Sequence, residues 1–434
     1  MRIEITPARQ LVGEVKIPGD KSISHRGVMF GALSRGETRL SRFLPGDDCL
    51  NTIKAFQSMG IDIKVKTDDK NETIVEIQGK GLRGLKKPDS VIQAGNSGTT
   101  ARLMAGILAG QSFPSVLDGD ASLRKRPMDR VVDPLSKMGG VFDPPGNRLP
   151  LHIKGAGSLR GIEYTLPVAS AQVKSAIIFG ALYGDSPTII HQPALSRDHT
   201  EIMFKQFGGQ IEQNDLSIKV YPAEELYGQN IRIPGDISSA AFFITASLLV
   251  PGSSITMKEI GINPTRSGIL EVYRQMGGKI SVENLNGAHE QAGEPAGDIT
   301  ASFSDLKGVE VGGSMIPRLI DEIPILALAA TQARGTTIIK DAAELKVKES
   351  NRIDLIVRTL KALGADIEPT EDGMVINGPT PLTGTNITCE MDHRIAMMGA
   401  IAGLTARGRT VIADGQWADV SFPGFFRIIE SLKS

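Results

Sequence analysis

Runs of small apolar residues, each followed by a glycine and a β-branched segment, recur six times along the chain. Each run predicts a helix, and the segment after it predicts a strand. Because most of the runs are apolar on nearly every side of a helix, we expect these helices to be buried. The clearest are Ala101–Ala109, Ser175–Leu182, Ala240–Val250, Ile323–Ala330 and Ile395–Leu404, and the six closing glycines are Gly36, Gly110, Gly184, Gly252, Gly335 and Gly408.

The closing glycines are spaced at 74, 74, 68, 83 and 73 residues, which is typical of a repeated supersecondary unit. The best-matched pair of repeats begins with the same four residues, IPGD, at Ile17 and Ile233. These two positions are 216 residues apart in a chain of 434, so the match divides the chain into halves. We predict one lobe of residues 19–232 and a second lobe of residues 1–18 plus 233–434.

A second helix, with one apolar and one polar face, follows each helix–strand pair. In Leu355–Leu363, for example, apolar residues recur at spacings of three and four, which predicts a helix with one buried face. Alternating residues over Thr73–Ile77 predict a half-buried strand after it. The glycines that end the second helices suit a left-handed C-cap; they are Gly60, Gly139, Gly208, Gly277 and Gly364.

The repeated unit is therefore predicted as βαβαββ. The predicted architecture is an α/β (α+β) fold of two similar lobes, each with three such units, buried parallel helices and outer sheets. The last copy should end at Phe425–Leu432, its second helix. Segment Glu283–Gly297 breaks the period and is interpreted as a surface insertion.

The bulk composition excludes several classes of partner. A net charge of −1 gives no overall field that would recruit nucleic acid or an anionic membrane. Cys49 and Cys389 are too few for a disulfide framework or a zinc motif, which favours the reducing cytoplasm and buried thiols. The first ten residues contain no apolar signal core, and no apolar run is long enough for a membrane helix. We expect a cytoplasmic monomer.

The first-helix starts carry the candidate chemistry. A helix N-terminus has unpaired N–H groups and a partial positive charge, so it favours anions. If the three buried helices of each lobe point the same way, two facing lobes would form an anion-binding cleft. The polar residues at these starts and in nearby loops are Lys21, Ser22, Arg26, Asn96, Ser97, Gly98, Arg102, Arg124, Lys125, Arg126, Ser170, Gln172, Lys174, Arg197, Asp321, Glu322, Lys346, Lys348, Arg352, Asp392, His393 and Arg394.

Each of these features has a plainer interpretation when it stands alone. A Lys-Ser turn is usually a helix cap, and the basic run Arg124–Arg126 is usually a solvated surface. Asp321 and Asp392 suit plain N-caps, and Glu349 with Arg352 suits an exposed helix pair. Polar clusters recur at the same place in five of the six repeats, which favours binding over separate caps.

The fourth repeat and the histidines are interpreted as structural. The fourth helix start has no charge beyond Asp236. His25, His199 and His393 lack the spacing to carboxylates that a metal site requires, so we expect no metal. No phosphate-binding loop or dinucleotide motif lies in a strand–turn–helix context, which argues against nucleotide hydrolysis and nicotinamide chemistry.

The motifs at these positions resemble the 5-enolpyruvylshikimate-3-phosphate synthase family over essentially the whole chain. They are GDKS followed by Arg26, GNSGTT followed by Arg102, RPM, SAQVKSA, SRDHTE, VKESNR and MDHRIAM. The resemblance implies two lobes of three βαβαββ units and a transferase without metal or organic cofactor. The implied reaction moves the enolpyruvyl group of phosphoenolpyruvate to the 5-hydroxyl of shikimate 3-phosphate and releases phosphate.

The resemblance also implies a role for individual residues. The residues implied to bind shikimate 3-phosphate are Lys21, Ser22, Arg26, Ser170, Gln172, Arg197, Asp321 and Lys348. Those implied to bind phosphoenolpyruvate are Lys21, Asn96, Gly98, Arg126, Gln172, Arg352 and Arg394. Gly98 is expected to avoid crowding of phosphoenolpyruvate against the backbone. Asp321 is expected to be the base for the hydroxyl, and Glu349 and Lys21 are alternative proton donors to the methylene carbon.

Some features depart from the family pattern or leave alternatives open. Many relatives carry a lysine where Val420 stands here, so one phosphoenolpyruvate contact is expected to be missing or supplied elsewhere. Four motifs, including Asn263–Arg266, resemble the subclass less sensitive to glyphosate, whereas Gly98 argues for sensitivity. The sister transferase acting on UDP-N-acetylglucosamine is one alternative, although Ser22 follows Lys21 and the loop Ser122–Met128 has no cysteine. A non-catalytic repeat scaffold is the other, although it would not require Asp321 and Glu349 among cations.

Overall fold

Two compact units make up the described part of the chain. The computed structural model describes residues 1–69, 71–143, 147–284 and 293–433. Of these, 1–18, 234–284 and 295–433 form unit 1, while 19–233 and 293–294 form unit 2. Unit 2 is therefore almost continuous in sequence, whereas unit 1 is assembled from both ends of the chain.

The helices recur in pairs that follow the predicted repeat. The α-helices of the described residues are α1 (Lys21–Leu33), α2 (Asp47–Ser58), α3 (Gly98–Ala109), α4 (Asp129–Lys137), α5 (Ala171–Ala181), α6 (His199–Gln206), α7 (Ile237–Leu249), α8 (Gly268–Gln275), α9 (Ile316–Leu319), α10 (Ile323–Thr331), α11 (Arg352–Ala362), α12 (His393–Thr405) and α13 (Phe425–Leu432). Helix α13 has the bounds predicted for the truncated last repeat.

Short strands lie between the helices. They are β1 (Ile3–Ile5), β2 (Val12–Val15), β3 (Arg35–Ser41), β4 (Asp62–Thr67), β5 (Thr73–Lys80), β6 (Ile92–Gln93), β7 (Ser115–Asp118), β8 (Leu151–Ile153), β9 (Glu163–Thr165), β10 (Thr188–His191), β11 (Ile211–Asn214), β12 (Ser217–Val220), β13 (Asn230–Arg232), β14 (Ser254–Gly261), β15 (Lys279–Asn284), β16 (Ala296–Ser302), β17 (Glu310–Val311), β18 (Gly335–Ile339), β19 (Asp366–Pro369), β20 (Met374–Gly378), β21 (Asn386–Ile387) and β22 (Thr410–Ile412).

Within the described residues, these strands form six small sheets, three in each unit. The strand orders in unit 2 are β13-β3-β5-β4, β6-β7-β8 and β11-β12-β10-β9, and those in unit 1 are β15-β16-β14-β2, β17-β18-β20-β19 and β1-β22-β21. Each sheet contains one parallel pair, and the β6/β7, β9/β10, β17/β18 and β21/β22 pairs flank the buried helix of their own repeat. The predicted α/β architecture of repeated units is confirmed.

Two repeats exchange their leading strands, which the contiguous βαβαββ reading did not predict. Strand β2 precedes α1 in the chain but pairs with β14 after α7, with Val12 opposite Ser254. Strand β13 precedes α7 but pairs with β3 after α1, with Asn230 opposite Arg39. The exchange occurs at the two IPGD segments, because each lies where the chain passes from one unit to the other. In the last repeat β1 pairs with β22, where another repeat would place its hairpin.

The two hydrophobic cores lie around the first helices of the repeats. Helices α1, α3 and α5 are buried in unit 2, and α7, α10 and α12 are buried in unit 1. Phe30 of α1 stacks against Phe179, Phe204 and Phe207 at centroid distances of 4.8–6.2 Å. Such large apolar faces are the main favourable contribution to folding, and the predicted burial of these helices is confirmed.

The glycines that end the second helices adopt the predicted left-handed conformation. Their φ angles lie between 85° and 97°, which only glycine adopts without a steric cost. Gly110, which ends the first helix α3 of its repeat, differs from these glycines, since its φ is −84°. A Cβ there would lie 2.2 Å from the Tyr183 ring, so close packing rather than turn geometry requires glycine at this position.

Three other predictions can be compared with the structure. Cys49 and Cys389 are buried thiols that do not form a disulfide with each other, as expected. The predicted insertion Glu283–Gly297 is too long at both ends, because β15 extends to Asn284 and β16 begins at Ala296; residues 285–292 lie outside the described part. Over the described ranges, every helix falls short of the length and apolar character needed to cross a bilayer.

Candidate active site

In unit 2, polar side chains cap the starts of the three buried helices. Asp20 accepts a hydrogen bond from the backbone of Ile23, Ser97 from Thr100 and Ser170 from Val173, at 2.9, 3.1 and 3.4 Å. These contacts begin each helix and leave its first turn available for polar side chains.

The starts of α3 and α5 are connected through side chains. Nη1 of Arg102 donates to Oε1 of Gln172 at 2.5 Å, and Nε2 of Gln172 donates to Oγ1 of Thr99 at 3.1 Å. Helix α1 joins them one turn further in, because Nη2 of Arg26 donates to Oγ of Ser175 at 2.9 Å. The three helices therefore bring their amino-terminal ends together, as the sequence predicted for one lobe.

Arg26 is buried, and its guanidinium group donates hydrogen bonds to neutral oxygens. Only 3% of the residue is exposed. Its Nε donates to Oγ1 of Thr200 at 2.6 Å, and its Nη1 donates to the carbonyl of Ser22 at 2.9 Å. Burial lowers the pKa of Arg26 to about 10; the charge of Glu201 opposes this shift, while that of Arg197 acts in the same direction. Two nearby guanidinium groups repel each other, so an anion beside them would be favourable.

Asn96, Gly98 and Arg126 are also brought together in unit 2. Nη2 of Arg126 donates to Oδ1 of Asn96 at 2.7 Å, and Nδ2 of Asn96 donates to Asp120 at 2.8 Å. A Cβ on Gly98 would lie 2.9 Å from Nη1 of Arg102. In this structure, the close neighbour of Gly98 is therefore a guanidinium group.

Lys21, Ser22, Ser170, Gln172 and Arg197 complete the unit 2 set, and all five are partly exposed. Lys21 forms an ion pair with Asp48. Arg197 lies two residues before the start of α6. Its neighbour His199 pairs with Glu294, with 2.6 Å between Nδ1 and Oε1.

Three cations at or near the predicted starts do not join this set. Lys174 is fully buried and pairs with Glu201 at 2.7 Å, so its charge is compensated inside the unit. Arg124 pairs with Asp118 at an exposed position, and Lys125 is exposed. Of the basic run Arg124–Arg126, only Arg126 contacts Asn96. The plainer interpretation therefore holds for the first two members of the run.

In unit 1, three cationic side chains lie close to Asp321. Its carboxylate lies 3.4 Å from Nζ of Lys348, 3.4 Å from Nη1 of Arg352 and 3.9 Å from Nη2 of Arg394. Asp321 is not a cap, because Glu322 occupies the N-cap position of α10. The structure thus brings together four of the predicted residues.

Arg352 is the most deeply buried member of the unit 1 set. Only 1% of its side chain is exposed, and it lies 2.8 Å from Asp392 and 2.6 Å from Glu349. Burial by itself would lower the pKa of Arg352, but Asp392, Glu349 and Asp321 outweigh it and raise the pKa. For Asp392, burial would raise the pKa, but Arg352 and His393 lower it on balance. Asp392 also caps α12 by accepting from the backbone of Arg394 at 3.0 Å.

The sequence did not predict a second buried polar network in unit 1. Glu322 accepts from both Arg266 and Ser238; the Nη1 atom of Arg266 lies 2.9 and 2.7 Å from its two oxygens. Arg394 lies 3.9 Å from the same carboxylate, and Arg266 lies 3.9 Å from Asp236. The fourth repeat is therefore not isolated from the site, since Ser238 on α7 and Asp236 before it join the starts of α10 and α12. In the sequence, the acidic residue next to Asp321, Glu322, was the signal that could have indicated this buried network.

These two sets suit the chemistry of small polyanions. Guanidinium groups bind carboxylate and phosphate in a bidentate manner, and both units supply them at helix starts. Unit 1 adds two carboxylates, the buried Asp321 and the partly exposed Glu349, a residue type that can exchange protons. Val420 ends a short 3₁₀ helix, Gly415–Val420, and supplies no cation at its position.

Sequence and structure comparisons point to one family. The sequence profile of EPSP synthase (3-phosphoshikimate 1-carboxyvinyltransferase) matches residues 5–429. A relative named 3-phosphoshikimate 1-carboxyvinyltransferase from Desulforudis audaxviator is 51% identical over 435 residues, covering 100% of both chains. One of the same name from Listeria welshimeri is 52% identical over 431 residues, covering 99% of both. A solved EPSP synthase structure from Acinetobacter baumannii superposes with a TM-score of 0.87 at 41% identity, covering 100% of this chain and 98% of that one.

Proposed function

We propose, from the premise that this chain belongs to the EPSP synthase family, that the two sets of helix-start residues bind and convert its two substrates. The enzyme transfers the carboxyvinyl group of phosphoenolpyruvate to shikimate 3-phosphate, in the shikimate pathway of aromatic amino-acid biosynthesis. Membership of this family excludes the UDP-N-acetylglucosamine transferase and the passive scaffold as the main interpretation.

Shikimate 3-phosphate is assigned mainly to unit 2. Arg26 and Arg197 provide two neighbouring guanidinium groups for its phosphate, and this pair supports the assignment most directly. Ser22, Ser170, Gln172 and Lys21 surround the same helix starts. From unit 1, Asp321 and Lys348 are assigned to this substrate.

Phosphoenolpyruvate is assigned to residues of both units. In unit 2, the Arg126–Asn96 contact places a guanidinium group near Gly98, with Lys21 and Gln172 shared between the two substrates. In unit 1, Arg352 and Arg394 are the assigned cations. We also propose a cytoplasmic monomer that needs no metal or organic cofactor; light scattering of the purified protein tests the monomer.

The reaction is an addition followed by an elimination. The methylene carbon of phosphoenolpyruvate gains a proton, and the 5-hydroxyl oxygen bonds to the adjacent carbon while its own proton passes to a base. The carbon–oxygen bond to phosphate then breaks, and the new methyl group loses a proton to restore the double bond. Asp321 is assigned as the base, because it lies at the junction of the cations assigned to the substrates.

Glu349 and Lys21 remain alternative donors to the methylene carbon. Glu349 lies 2.6 Å from Arg352, a cation assigned to phosphoenolpyruvate, which supports the first alternative. Lys21 pairs with Asp48, a carboxylate able to orient its ammonium group.

The test is phosphate release from phosphoenolpyruvate with each candidate acceptor. We expect release with shikimate 3-phosphate and none with UDP-N-acetylglucosamine or without acceptor. Release with UDP-N-acetylglucosamine alone, or with no acceptor present, would overturn the proposal. Product formation should be followed in the same samples by mass spectrometry, because hydrolysis of phosphoenolpyruvate also liberates phosphate.

A further inference from the structure

Lys174 lies inside unit 2 with no exposed side-chain surface, yet it carries a charged group. It belongs to α5, the helix that begins with Ser170 and Gln172. Its ammonium group lies 2.7 Å from Glu201 on α6. A buried ion pair is by itself weak support for stability, because desolvation offsets its attraction and apolar residues often serve as well. The ammonium group also contacts residues other than Glu201.

Those contacts fix one residue of the loop before α6. Nζ of Lys174 donates to the carbonyl of Ser196 at 3.0 Å and to Oε1 of Gln192 at 3.4 Å. The same Oε1 accepts from the backbone N–H and the hydroxyl of Ser196 at 3.3 and 3.0 Å. Every polar group of Ser196 is thus held by Lys174 or Gln192, and all three residues are buried.

The residue after Ser196 is Arg197, whose charge acts on the buried Arg26. The side chain of Thr200, beyond it, is held as well, because its Oγ1 accepts from Arg26 at 2.6 Å. Arg197 therefore sits on a short segment that is anchored at Ser196 on one side and at Thr200 on the other. Its side chain remains partly exposed.

We propose that Lys174 is a positioning residue, which acts with Gln192 through the backbone of Ser196 to aim Arg197 at shikimate 3-phosphate. The inference rests on the proposed assignment of Arg197 to that substrate. An apolar side chain could fill the same volume, but it could not donate to the Ser196 carbonyl. Glu201 neutralises the lysine, and its charge also acts on Arg26.

The experiment removes the ion pair without leaving a single buried charge. Lys174→Met alone would leave Glu201 unpaired in the interior, which is costly and could prevent folding. The double variant Lys174→Met/Glu201→Gln avoids that cost. Because it also removes the Glu201 charge that acts on Arg26, it is paired with a second variant that leaves both charges in place. We expect its KM for shikimate 3-phosphate to rise about tenfold or more, with KM for phosphoenolpyruvate and kcat within about threefold of native and a near-native Tm.

A second variant tests the same loop with the ion pair left in place. Gln192→Met removes the acceptor for the N–H and hydroxyl of Ser196, and the same selective rise in KM for shikimate 3-phosphate is expected. Lys205→Met is the matched control, since Lys205 is an exposed lysine on the same helix α6. Its kinetic constants should equal the native ones.

The outcomes separate this inference from the proposed function. Native enzyme that releases phosphate only with both substrates establishes the function independently of Lys174. In that case, a KM for shikimate 3-phosphate within about twofold of native in both loop variants would overturn the positioning role. So would an equal rise in KM for both substrates, because that pattern indicates general loosening of unit 2.

Discussion

The two units hold their site cations in different surroundings. In unit 2, the guanidinium groups of Arg26, Arg102 and Arg126 donate to hydroxyl, carbonyl and amide oxygens, which carry no formal charge. In unit 1, Arg352 and Arg394 lie against carboxylates instead. Neutral partners orient a cation without cancelling its field, whereas carboxylate partners compensate it.

From this difference, we infer that the two units have different roles in one reaction. In unit 2, these guanidinium groups donate directly to neutral oxygens, and the carboxylates that act on Arg26 are not among these hydrogen-bond acceptors, which suits the binding of phosphate and carboxylate. Unit 1 offers carboxylates beside cations, which suits proton transfer near an anionic substrate. Removing a charged group should therefore affect mainly binding in unit 2, and mainly turnover or stability in unit 1.

The largest expected effect concerns the unit 1 carboxylates. Asp321→Ala and Glu349→Ala should each lower kcat by about 10²–10⁴-fold, because each removes an assigned proton-transfer group. Steady-state phosphate release measures this, and circular dichroism should show an intact fold. Glu371→Ala, the same change at an exposed turn of unit 1, should leave kcat unchanged. Near-normal turnover of either site variant would refute its assigned role.

The next effect compares one arginine from each unit. Arg352→Gln should lower the free energy of unfolding by about 3–5 kcal/mol, because it removes the guanidinium group that pairs with the buried Asp392. Arg126→Gln should leave stability nearly unchanged but raise KM for phosphoenolpyruvate about tenfold or more. Urea denaturation and steady-state kinetics measure the two effects. Equal losses of stability in both variants would contradict the difference drawn between the units.

A smaller effect concerns His25, which lies in unit 2 near cations. Burial lowers its pKa to about 3; Asp48 opposes this shift, while Lys21 and Arg26 reinforce it. Because the unfolded pKa is near 6.5, the unfolded chain binds the proton more readily. The stability that His25 contributes is full above about pH 6.5 and falls by roughly 1.4 kcal/mol per pH unit as the pH drops toward 3.

His25→Asn isolates this contribution, because a short amide can still reach the Thr52 hydroxyl, which lies 2.7 Å from Nδ1. Unfolding free energies between pH 4 and 7 should fall less steeply for the variant than for the native protein. Identical slopes would show that His25 does not stay neutral in the folded state.

The smallest effect concerns His199, a buried histidine of unit 2 with a carboxylate partner. Burial would lower the pKa of His199, but Glu294 outweighs it and raises the pKa above the ordinary value. The stability from this pair is therefore present below about pH 6.5 and is lost as the pH rises through the raised pKa. Glu294→Gln should lower the His199 pKa, as measured by NMR titration of the ring. An unchanged pKa would exclude this ion pair as the cause.

The sequence predicted the repeats well because their signals are local. The left-handed glycines after each second helix and the end of the last repeat at Phe425–Leu432 depend on neighbouring residues only. The helix starts were predictable for the same reason, since Ser97, Ser170 and Asp392 cap the turns that follow them.

The features that the sequence did not predict depend on distant partners. Lys174 was assigned to the polar helix starts, but Glu201, 27 positions further along, compensates its charge inside unit 2. Arg266 and Glu322, 56 positions apart, pair in the same way. The exchange of β2 and β13 is similar, because strand pairing is set by hydrogen bonds across a sheet and leaves no local pattern.

The exchanged strands have a consequence for how the polypeptide is made. The backbone N–H of Leu11, directly before β2, donates to a residue 242 positions further along the chain. During synthesis β2 therefore emerges long before β14 exists, while the strands of unit 2 are complete once Arg232 has been made. An unpaired strand invites association with other chains, so a nascent chain is most exposed to misassembly at its amino terminus. An amino-terminal truncation through Val15 would damage two sheets built largely from the last half of the gene product.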